Sequence, residues 1–470
     1  MRQMYGLRGV TRLNVQRTAA LVAAIVVIGV QLSMQRTIVP NTDSLDYLSI
    51  ASELSQTGIF TDGRFKVHAA VTGPHGEGMF FAPLYPAFLA VLMKVDRPFY
   101  DTAVCVVENH SVAGQCPLNL ALPVLIQGLL AAFSAFLVWL SAVSLTGKKS
   151  VGWLAMGLVL LVRDAYSFYA AELMTENLTF PLFSLACFLG TSGLQHKRSS
   201  RVLFSGIVLG FLALNRPSFP FLFYAISVST LCASVFMIAT RKRRITFLTP
   251  LVLFVIGYAV IVTPWVVRNG LTLHSYEISK GYGVFILQER VAFDSMTSRE
   301  WAASFIFGLP DFGDSLAKRL LPPADYERLD YGATDGFYLT GNREKPLWQS
   351  PGEADRRLHD MIHHYIVANL LKHMLVTLSL AWRGMWVGKY WGLVTIPVFA
   401  GVAIHALRTR WWPFLLYAFP AWYMLAFNAF LTVNVVRYNL VLLPCLAIAT
   451  AWSLVAFWQY SRKTCFIRPA

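Results

Sequence analysis

Charged residues are scarce in this chain. Lys, Arg, Asp and Glu make up 14% of its 470 residues, whereas hydrophobic residues make up 56%. The mean hydropathy of +0.52 excludes a water-soluble globular protein. Several apolar runs reach the roughly 20 residues that a helix needs to cross a bilayer, and they lack the polar–apolar alternation of a membrane β-barrel. The sequence therefore predicts an all-α polytopic membrane protein.

Acidic residues are absent from six short segments that hold 18 of the 40 Lys and Arg residues. These segments are Met1–Arg17, Thr146–Ser150, Gln195–Arg201, Thr240–Ile245, Leu407–Trp411 and Ser461–Ala470. In contrast, Thr37–Leu120 holds 4 basic and 8 acidic residues, and Trp265–Tyr390 holds 14 of each. Because cytoplasmic loops carry the excess of Lys and Arg, we expect the six segments to be cytoplasmic and the two long stretches to face outward. The net charge of +15 thus indicates topology and not nucleic-acid binding.

This alternation predicts a single membrane-embedded domain, residues 1–460, of about ten transmembrane helices. They lie at about 17–36, 121–145, 151–163, 176–194, 202–214, 218–239, 246–264, 391–406, 413–432 and 438–459. Both termini are then cytoplasmic, with 461–470 as a tail, and 37–120 and 265–390 are outward regions. The third and fifth helices have only about 13 apolar residues, so we expect them to stop partway or to gain less apolar turns buried in protein.

Both outward regions contain patterns typical of helices lying at the membrane surface. "SLDYLSIASELSQTG" ends at Gly58, as helices often do, and "APLYPAFLAVLMKV" is opened by Pro83. The second region contains an amphipathic repeat with i, i+3, i+4, i+7 spacing, formed by Leu358, Met361, Ile362 and Tyr365.

Cysteine is also scarce, with six residues in the chain. Only Cys105 and Cys116 share an outward loop, where an oxidising compartment favours a disulfide; two unpaired thiols are the alternative. No Cys/His spacing resembles a structural zinc site. The sequence thus predicts no metal ligands and no certain cofactor, and a requirement for a divalent metal stays open.

Ionisable residues at the edge of a membrane span are costly and therefore functional candidates. Nine of them lie at the outward ends of the predicted spans: Asp43, Asp46, Arg163, Asp164, Glu172, Glu176, Arg216, Arg268 and Arg437. A mixture of acids and arginines suits a site that binds an anion and moves a proton.

Six motifs around these residues follow one another along the chain. They are "DSLDY", "APLYPAFLA", "AELMTENLTFPL", "GFLALNRP", "TPWVVRNG" and "VRYNLVLLP". In this order they resemble elements of the GT-C glycosyltransferases, which use polyprenyl-phosphate sugars, such as the protein O-mannosyltransferases and lipid A aminoarabinose transferases. Ala82 stands where many members have Arg, and Ser44 where many have Glu.

The resemblance implies a GT-C-like bundle in a bacterial inner membrane, with a periplasmic active site. A monosaccharide would pass from a polyprenyl-phosphate donor to lipid A or core, an envelope glycan, a glycolipid or a protein. Asp43 would be the base, supported by Asp46, and Glu176 would orient the sugar or acceptor. The implied substrate-binding residues are Tyr47, Tyr85, Arg216, Arg268, Arg437 and Tyr438.

Each assignment has an alternative. Asp43 could be a helix N-cap, with Asp46 at position N3, and Glu176 could cap a span. The arginines could extend to lipid headgroups. For the whole chain, the alternatives are a transporter or flippase, or a polysaccharide ligase. Transporters usually place ionisable residues near the midplane and often show an inverted repeat, whereas this sequence has neither.

The predicted topology can be tested with a reporter that is active only in the periplasm. Fused at Ala470, the reporter should be silent, and fused within Thr37–Leu120 it should be active, because the basic segments retain the termini in the cytoplasm. The opposite pattern would overturn the sidedness.

Overall fold

The computed structural model describes residues 2–35, 42–63, 76–109, 115–162, 166–239, 248–343 and 351–465, and all regular structure in these ranges is helical. The first ten helices are α1 (Arg2–Ser33), α2 (Thr42–Thr57), α3 (Leu84–Val95), α4 (Arg97–Glu108), α5 (Ala121–Thr146), α6 (Lys149–Leu161), α7 (Tyr166–Ala171), α8 (Glu176–Gln195), α9 (Ser199–Asn215) and α10 (Phe219–Ala239). The others are α11 (Leu248–Leu273), α12 (Tyr282–Ala292), α13 (Ser298–Phe307), α14 (Gly313–Leu320), α15 (Phe337–Arg343), α16 (Pro351–Met361), α17 (Leu370–Gly384), α18 (Tyr390–Thr409), α19 (Trp412–Leu431) and α20 (Leu443–Cys465).

The predicted class, an all-α polytopic membrane protein, is confirmed. Within the described ranges, eight helical segments are long and apolar enough to cross a membrane, and they match eight of the ten predicted spans. The two spans predicted to be short are the shorter apolar helices α6 and α9. A ninth candidate lies inside the second outward region, where Asp355–Val367 and Leu370–Gly384 form a pair bent by 90°. The sequence did not predict this pair.

The first outward region folds as its turn residues predict. α2 ends at Thr57, and Gly58 follows with φ +75°, a left-handed conformation that glycine adopts without steric cost. α3 begins directly after Pro83. Residues of α2, α3 and α4 share one apolar core that includes the fully buried Leu48 and Phe99. Cys105 and Cys116 form a disulfide between the end of α4 and the segment before α5.

The amphipathic helix of the second outward region differs from the prediction. α16 ends at Met361 and continues as a π-helical turn, Ile362–Val367. A π-turn bonds i to i+5, so residues five apart share a face. Met361 and Ile366 are therefore buried. Ile362 and Tyr365, which were predicted to lie on the same apolar face as Met361, are exposed.

A buried ionic network joins α12 to α17 and α19. The fully buried guanidinium of Arg290 lies 2.8 Å from Asp294 and donates to the carbonyl of Ala429. The other carboxylate oxygen of Asp294 is 2.7 Å from Nδ1 of His373, whose Nε2 faces the carbonyl of Phe430 at 2.9 Å. Every charge in this network thus has an opposite partner, as burial demands.

Arg290→Ala should destabilise the protein strongly. It removes a partner of the buried Asp294 carboxylate, and breaking a buried pair on one side costs roughly 3–5 kcal/mol. Thermal unfolding of the detergent-purified protein should show a clearly lower Tm. Arg299→Ala, at an exposed position on α13, is the control and should leave the Tm nearly unchanged. Equal Tm values for the two variants would contradict the role of the network.

Candidate functional site

Four segments bring the predicted site residues together. Asp43 lies in the first turn of α2, and Glu176 is the first residue of α8. Arg216 directly follows α9, whose start is joined to α8 by a short turn. Arg437 and Tyr438 lie in the 3₁₀ turn Val436–Leu442, immediately before α20.

The end of α9 is fixed against the start of α8 by a buried amide. Asn215 donates from Nδ2 to the carbonyl of Thr175, at 3.0 Å, and to the hydroxyl of Thr179, at 2.9 Å. Arg216 follows Asn215 and Glu176 follows Thr175 along the chain, so these bonds hold Arg216 beside Glu176.

Two ion pairs meet at one aromatic ring. Nη2 of Arg437 lies 3.0 Å from Oδ2 of Asp43, and Nη1 of Arg216 lies 3.4 Å from Oε1 of Glu176. The guanidinium groups of Arg216 and Arg437 lie 5.0 and 5.4 Å from the ring centroid of Tyr438, within cation–π range. The five residues form a continuous array, which we call the Asp43–Glu176 array.

The array is buried at one end and open at the other. The side chain of Glu176 is 1% exposed and that of Arg216 is 19% exposed. At the other end, Arg437 is 33% exposed and Asp43 is 44% exposed. A ligand can therefore reach Asp43 and Arg437, whereas Glu176 forms the floor.

Two atoms of the array have no hydrogen-bond partner within the described residues: Nε of Arg437 and Oε1 of Glu176. The 3.4 Å separation between Glu176 and Arg216 is longer than a good charge-assisted hydrogen bond. Buried polar atoms are nearly always bonded, and an exception calls for an explanation. A ligand with an acceptor near Arg437 and a donor near Glu176 would satisfy both atoms.

The alternative role of Asp43 as an N-cap does not fit the structure. α2 already begins at Thr42, so Asp43 lies in the first helical turn and Asp46 lies one turn further on. A carboxylate in the first turn is favoured by the helix dipole. The position is thus favourable for a carboxylate without being a cap.

Asp46 has an environment different from that of Asp43. Burial, and then the charge of Asp43, raises the pKa of Asp46 from 3.8 to about 7. Asp46 therefore keeps its proton to a much higher pH than an exposed aspartate does, whereas Asp43 pairs with Arg437.

Two of the predicted site residues, Tyr47 and Tyr85, pack against each other. The rings of Tyr47 and Tyr85 meet edge to face at 5.2 Å. Tyr85 is fully buried and donates its hydroxyl to Gln127 at 2.7 Å. Burial raises the pKa of Tyr47; Asp43 and Glu176 raise it further, and the two arginines oppose this rise. Tyr47 thus lies beside the array, and Tyr85 packs against Tyr47.

Arg268 is not brought into the array. It donates to the carbonyls of Gly78, at 2.8 Å, and Phe60, at 3.1 Å, and lies 4.8 Å from the ring of Trp265. It also lines a mostly apolar cavity of about 520 Å³ between the ends of α2 and α9 and the helix α11. In this position Arg268 ties α11 to the segment that precedes α3.

One residue near the array was not among the predicted site residues. Burial and the neighbouring Tyr438, Tyr47 and Asp43 raise the pKa of Tyr282, at the start of α12. Its ring contacts Phe81 at 5.8 Å. No motif surrounds position 282, so the sequence carries no signal for it.

Three further ionisable residues were predicted at the outward ends of the spans. Glu172 is half-buried, and burial and then the charge of Glu176 raise its pKa. Arg163 and Asp164 lie outside the described residues. Among the described residues, no group of three or more His, Cys, Asp or Glu side chains is arranged to hold a metal ion.

Comparison with known proteins finds no matching family model and no matching curated protein. Among solved structures, the oligosaccharyltransferase AglB from Archaeoglobus fulgidus, in complex with an inhibitory peptide and a dolichol-phosphate, matches with a TM-score of 0.46 at 13% identity. The match covers 97% of this chain and 52% of AglB, so the chain spans about half the length of the archaeal enzyme. ArnT from Cupriavidus metallidurans, bound to undecaprenyl phosphate, matches with a TM-score of 0.37 at 16% identity, over 93% of this chain and 77% of ArnT.

The raised pKa of Asp46 predicts a pH dependence of stability. The folded-state pKa of about 7 exceeds the ordinary value of 3.8, so the folded protein binds more protons between these pH values. Wild-type stability should accordingly fall as pH rises through this range, and the cost is constant above it. Asp46→Asn cannot ionise, so its Tm relative to wild type should increase from about pH 4 to about pH 7 and then level off.

The control for this measurement is Gln56→Asn, a change between neutral residues at an exposed position of α2. Its Tm difference from wild type should not vary with pH. A constant difference for Asp46→Asn as well would show that Asp46 ionises alike in the folded and unfolded chain.

Proposed function

We propose that this protein is a GT-C-type glycosyltransferase of a bacterial inner membrane. It transfers a monosaccharide from a polyprenyl-phosphate donor to an acceptor hydroxyl on the periplasmic side. The observation that supports this function best is the Asp43–Glu176 array, which places two carboxylates and two arginines around one tyrosine at the ends of apolar helices. A lipid-phosphate sugar needs this combination, because its phosphate lies at the membrane edge while its tail stays in lipid.

In this proposal, Arg437 and Arg216 bind the donor phosphate. Their guanidinium groups flank the same ring of Tyr438, so both cations face one small region. Nε of Arg437 has no hydrogen-bond partner within the described residues and can donate to a phosphate oxygen. Arginine forks are well suited to phosphate, and they stabilise the charge that develops on a departing phosphate.

Asp43 acts as the general base. It is the more exposed of the two carboxylates in the array, which gives an incoming acceptor access to it. The acceptor hydroxyl gives its proton to Asp43 while its oxygen bonds to the anomeric carbon. The bond from that carbon to the phosphate oxygen breaks, and its electron pair leaves with the polyprenyl phosphate. Arg437 holds Asp43 in position and faces the leaving group at the same time.

Glu176 orients the transferred sugar. Its buried carboxylate keeps one oxygen without a hydrogen-bond partner among the described residues, and a sugar hydroxyl can donate to it. The ion pair with Arg216 fixes this carboxylate on the floor of the site. The acceptor is a hydroxyl of lipid A or core, of another envelope glycan, of a glycolipid or of a protein.

Asp43→Asn should abolish most of the transfer activity. Asparagine keeps the size of the side chain but cannot accept the proton, and a positioned general base contributes about 10²–10⁴-fold in rate. The assay is transfer of radiolabelled sugar from a polyprenyl-phosphate monosaccharide by the purified protein. Donor binding should be retained, and Asp46→Asn should retain more activity than Asp43→Asn.

Asp101→Asn, at an exposed position on α4, is the matched control and should transfer sugar at the wild-type rate. If Asp43→Asn also reached that rate, the base would have to be another residue. Movement of the intact lipid-linked sugar across the membrane, without transfer by the wild type, would favour a flippase instead.

A further inference from the structure

A second cavity, of about 440 Å³, lies in the second outward region. It is lined by residues of α12, α15, α16 and α17 and of the turns beside them, and none of these residues belongs to the Asp43–Glu176 array. The polar or charged lining residues used below are Asp294, Arg328, Thr340, Arg357, Asn369 and Lys372. We call this space the 357–372 pocket.

A break in a helix creates the pocket. The helical axis bends by 90° between Asp355–Val367 and Leu370–Gly384, and a π-turn at Ile362–Val367 precedes the bend. Arg357 lies before this break and Lys372 lies after it, yet both line the same cavity. π-turns are rare and frequently occur at functional sites. The irregular backbone therefore brings together two cations that a straight helix would place more than four turns apart.

Among the described residues that line it, the pocket carries more positive than negative charge. Arg328 is held by Glu300 at 3.0 Å and by the hydroxyl of Ser295. Arg357 and Lys372 are exposed, and neither has an ion-pair partner among the described residues. One carboxylate, that of Asp294, also lines the pocket, but its two oxygens face Arg290 and His373. The charge that remains for a ligand is therefore positive.

The other lining residues suit a saccharide. Thr340 and Asn369 carry neutral hydrogen-bonding groups at exposed positions, and Tyr365 offers an exposed aromatic ring. The volume lies within the range of small-molecule sites, roughly 300–1,000 Å³.

We propose that the 357–372 pocket binds a phosphorylated saccharide. The phosphate group lies between Arg357 and Lys372, where both cations can donate charge-assisted hydrogen bonds. The sugar ring packs toward Thr340, Tyr365 and Asn369. Such a ligand is a free sugar phosphate or the phosphosugar headgroup of a lipid. This binding does not depend on transfer at the Asp43–Glu176 array.

The test is isothermal titration calorimetry of the full-length protein in a neutral detergent, with glucose 6-phosphate as the probe. The wild type should bind glucose 6-phosphate more tightly than glucose, and added NaCl should weaken the binding. Arg357→Gln and Lys372→Gln should each weaken it by roughly 3- to 10-fold, since each removes one charged donor. The double variant should bind more weakly than either single variant.

Arg356→Gln is the matched control, because Arg356 neighbours Arg357 on α16 and is exposed but does not line the pocket. It should bind the probe as the wild type does. The proposal is overturned if glucose binds as tightly as glucose 6-phosphate, or if the Arg357 and Lys372 variants bind like the Arg356 variant. Asp43→Asn should still bind the probe, so loss of transfer and loss of pocket binding are separate results.

Nanodiscs distinguish the two sources of the ligand. If the pocket takes lipid headgroups, nanodiscs with a quarter of phosphatidylinositol in phosphatidylcholine should compete with glucose 6-phosphate in the wild type. If the pocket takes free sugar phosphates, glucose 6-phosphate should bind the wild type equally well in these nanodiscs and in nanodiscs of pure phosphatidylcholine. Either result supports the site if the Arg357 and Lys372 variants bind glucose 6-phosphate more weakly than the wild type. If both variants bind it as the wild type does, the proposal is overturned.

Discussion

The cost of removing a charge from water determines how this molecule is organised. With 14% charged residues in a mostly apolar chain, each buried charge needs an opposite partner or a hydrogen bond. The buried guanidinium of Arg290 meets Asp294, and the buried carboxylate of Glu176 meets Arg216. The Glu176–Arg216 pair joins the start of α8 to the end of α9. Arg290 and Asp294 are only four residues apart, but Arg290 also donates to the carbonyl of Ala429 on α19 and Asp294 contacts His373 on α17. These contacts tie together helices that apolar packing alone would leave free to slide.

The position of the Asp43–Glu176 array depends on close packing of two helices. A Cβ atom on Gly206 of α9 would lie 2.1 Å from the carbonyl oxygen of Phe254 on α11, and one on Gly257 would lie 2.3 Å from that of Leu203. Small residues at such crossings let helix backbones approach closely in a membrane protein. Any larger residue would push α9 away from α11. Because Arg216 is attached to the end of α9, this shift would pull the guanidinium away from Glu176.

Much of the fold could be predicted from the sequence because a bilayer permits few alternatives. Apolar runs and the distribution of Lys and Arg located all ten predicted helices, including the short α6 and α9. Gly58 predicted the end of α2, because glycine adopts a left-handed conformation without steric cost. Pro83 predicted the start of α3, because proline restricts the backbone to a conformation suited to a helix start. These signals are local, so a single sequence contains them.

The site could be predicted only in part, because its geometry is not local. The motifs identified Asp43, Glu176, Arg216 and Arg437, but not that Arg437 pairs with Asp43, 394 positions earlier. Arg268 lies in one of the six motifs, as Arg216 does, yet its guanidinium donates to the backbone carbonyls of Gly78 and Phe60 and is not part of the array. The π-turn after Met361 changes which face of its helix is buried, and its sequence contains no Gly or Pro from which the turn could be predicted. Such features follow from packing between distant segments, which spacing along the chain does not report.

The charge of Asp43 acts on its neighbour Asp46, and the proposed chemistry makes use of this interaction. Burial and the negative charge of Asp43 together raise the pKa of Asp46 to about 7. In the proposed reaction, Asp43 takes the proton of an acceptor hydroxyl, and its charge then no longer opposes ionisation of Asp46. The proton of Asp46 is then released more easily, and the pair can return to its starting charge while Arg437 still holds Asp43.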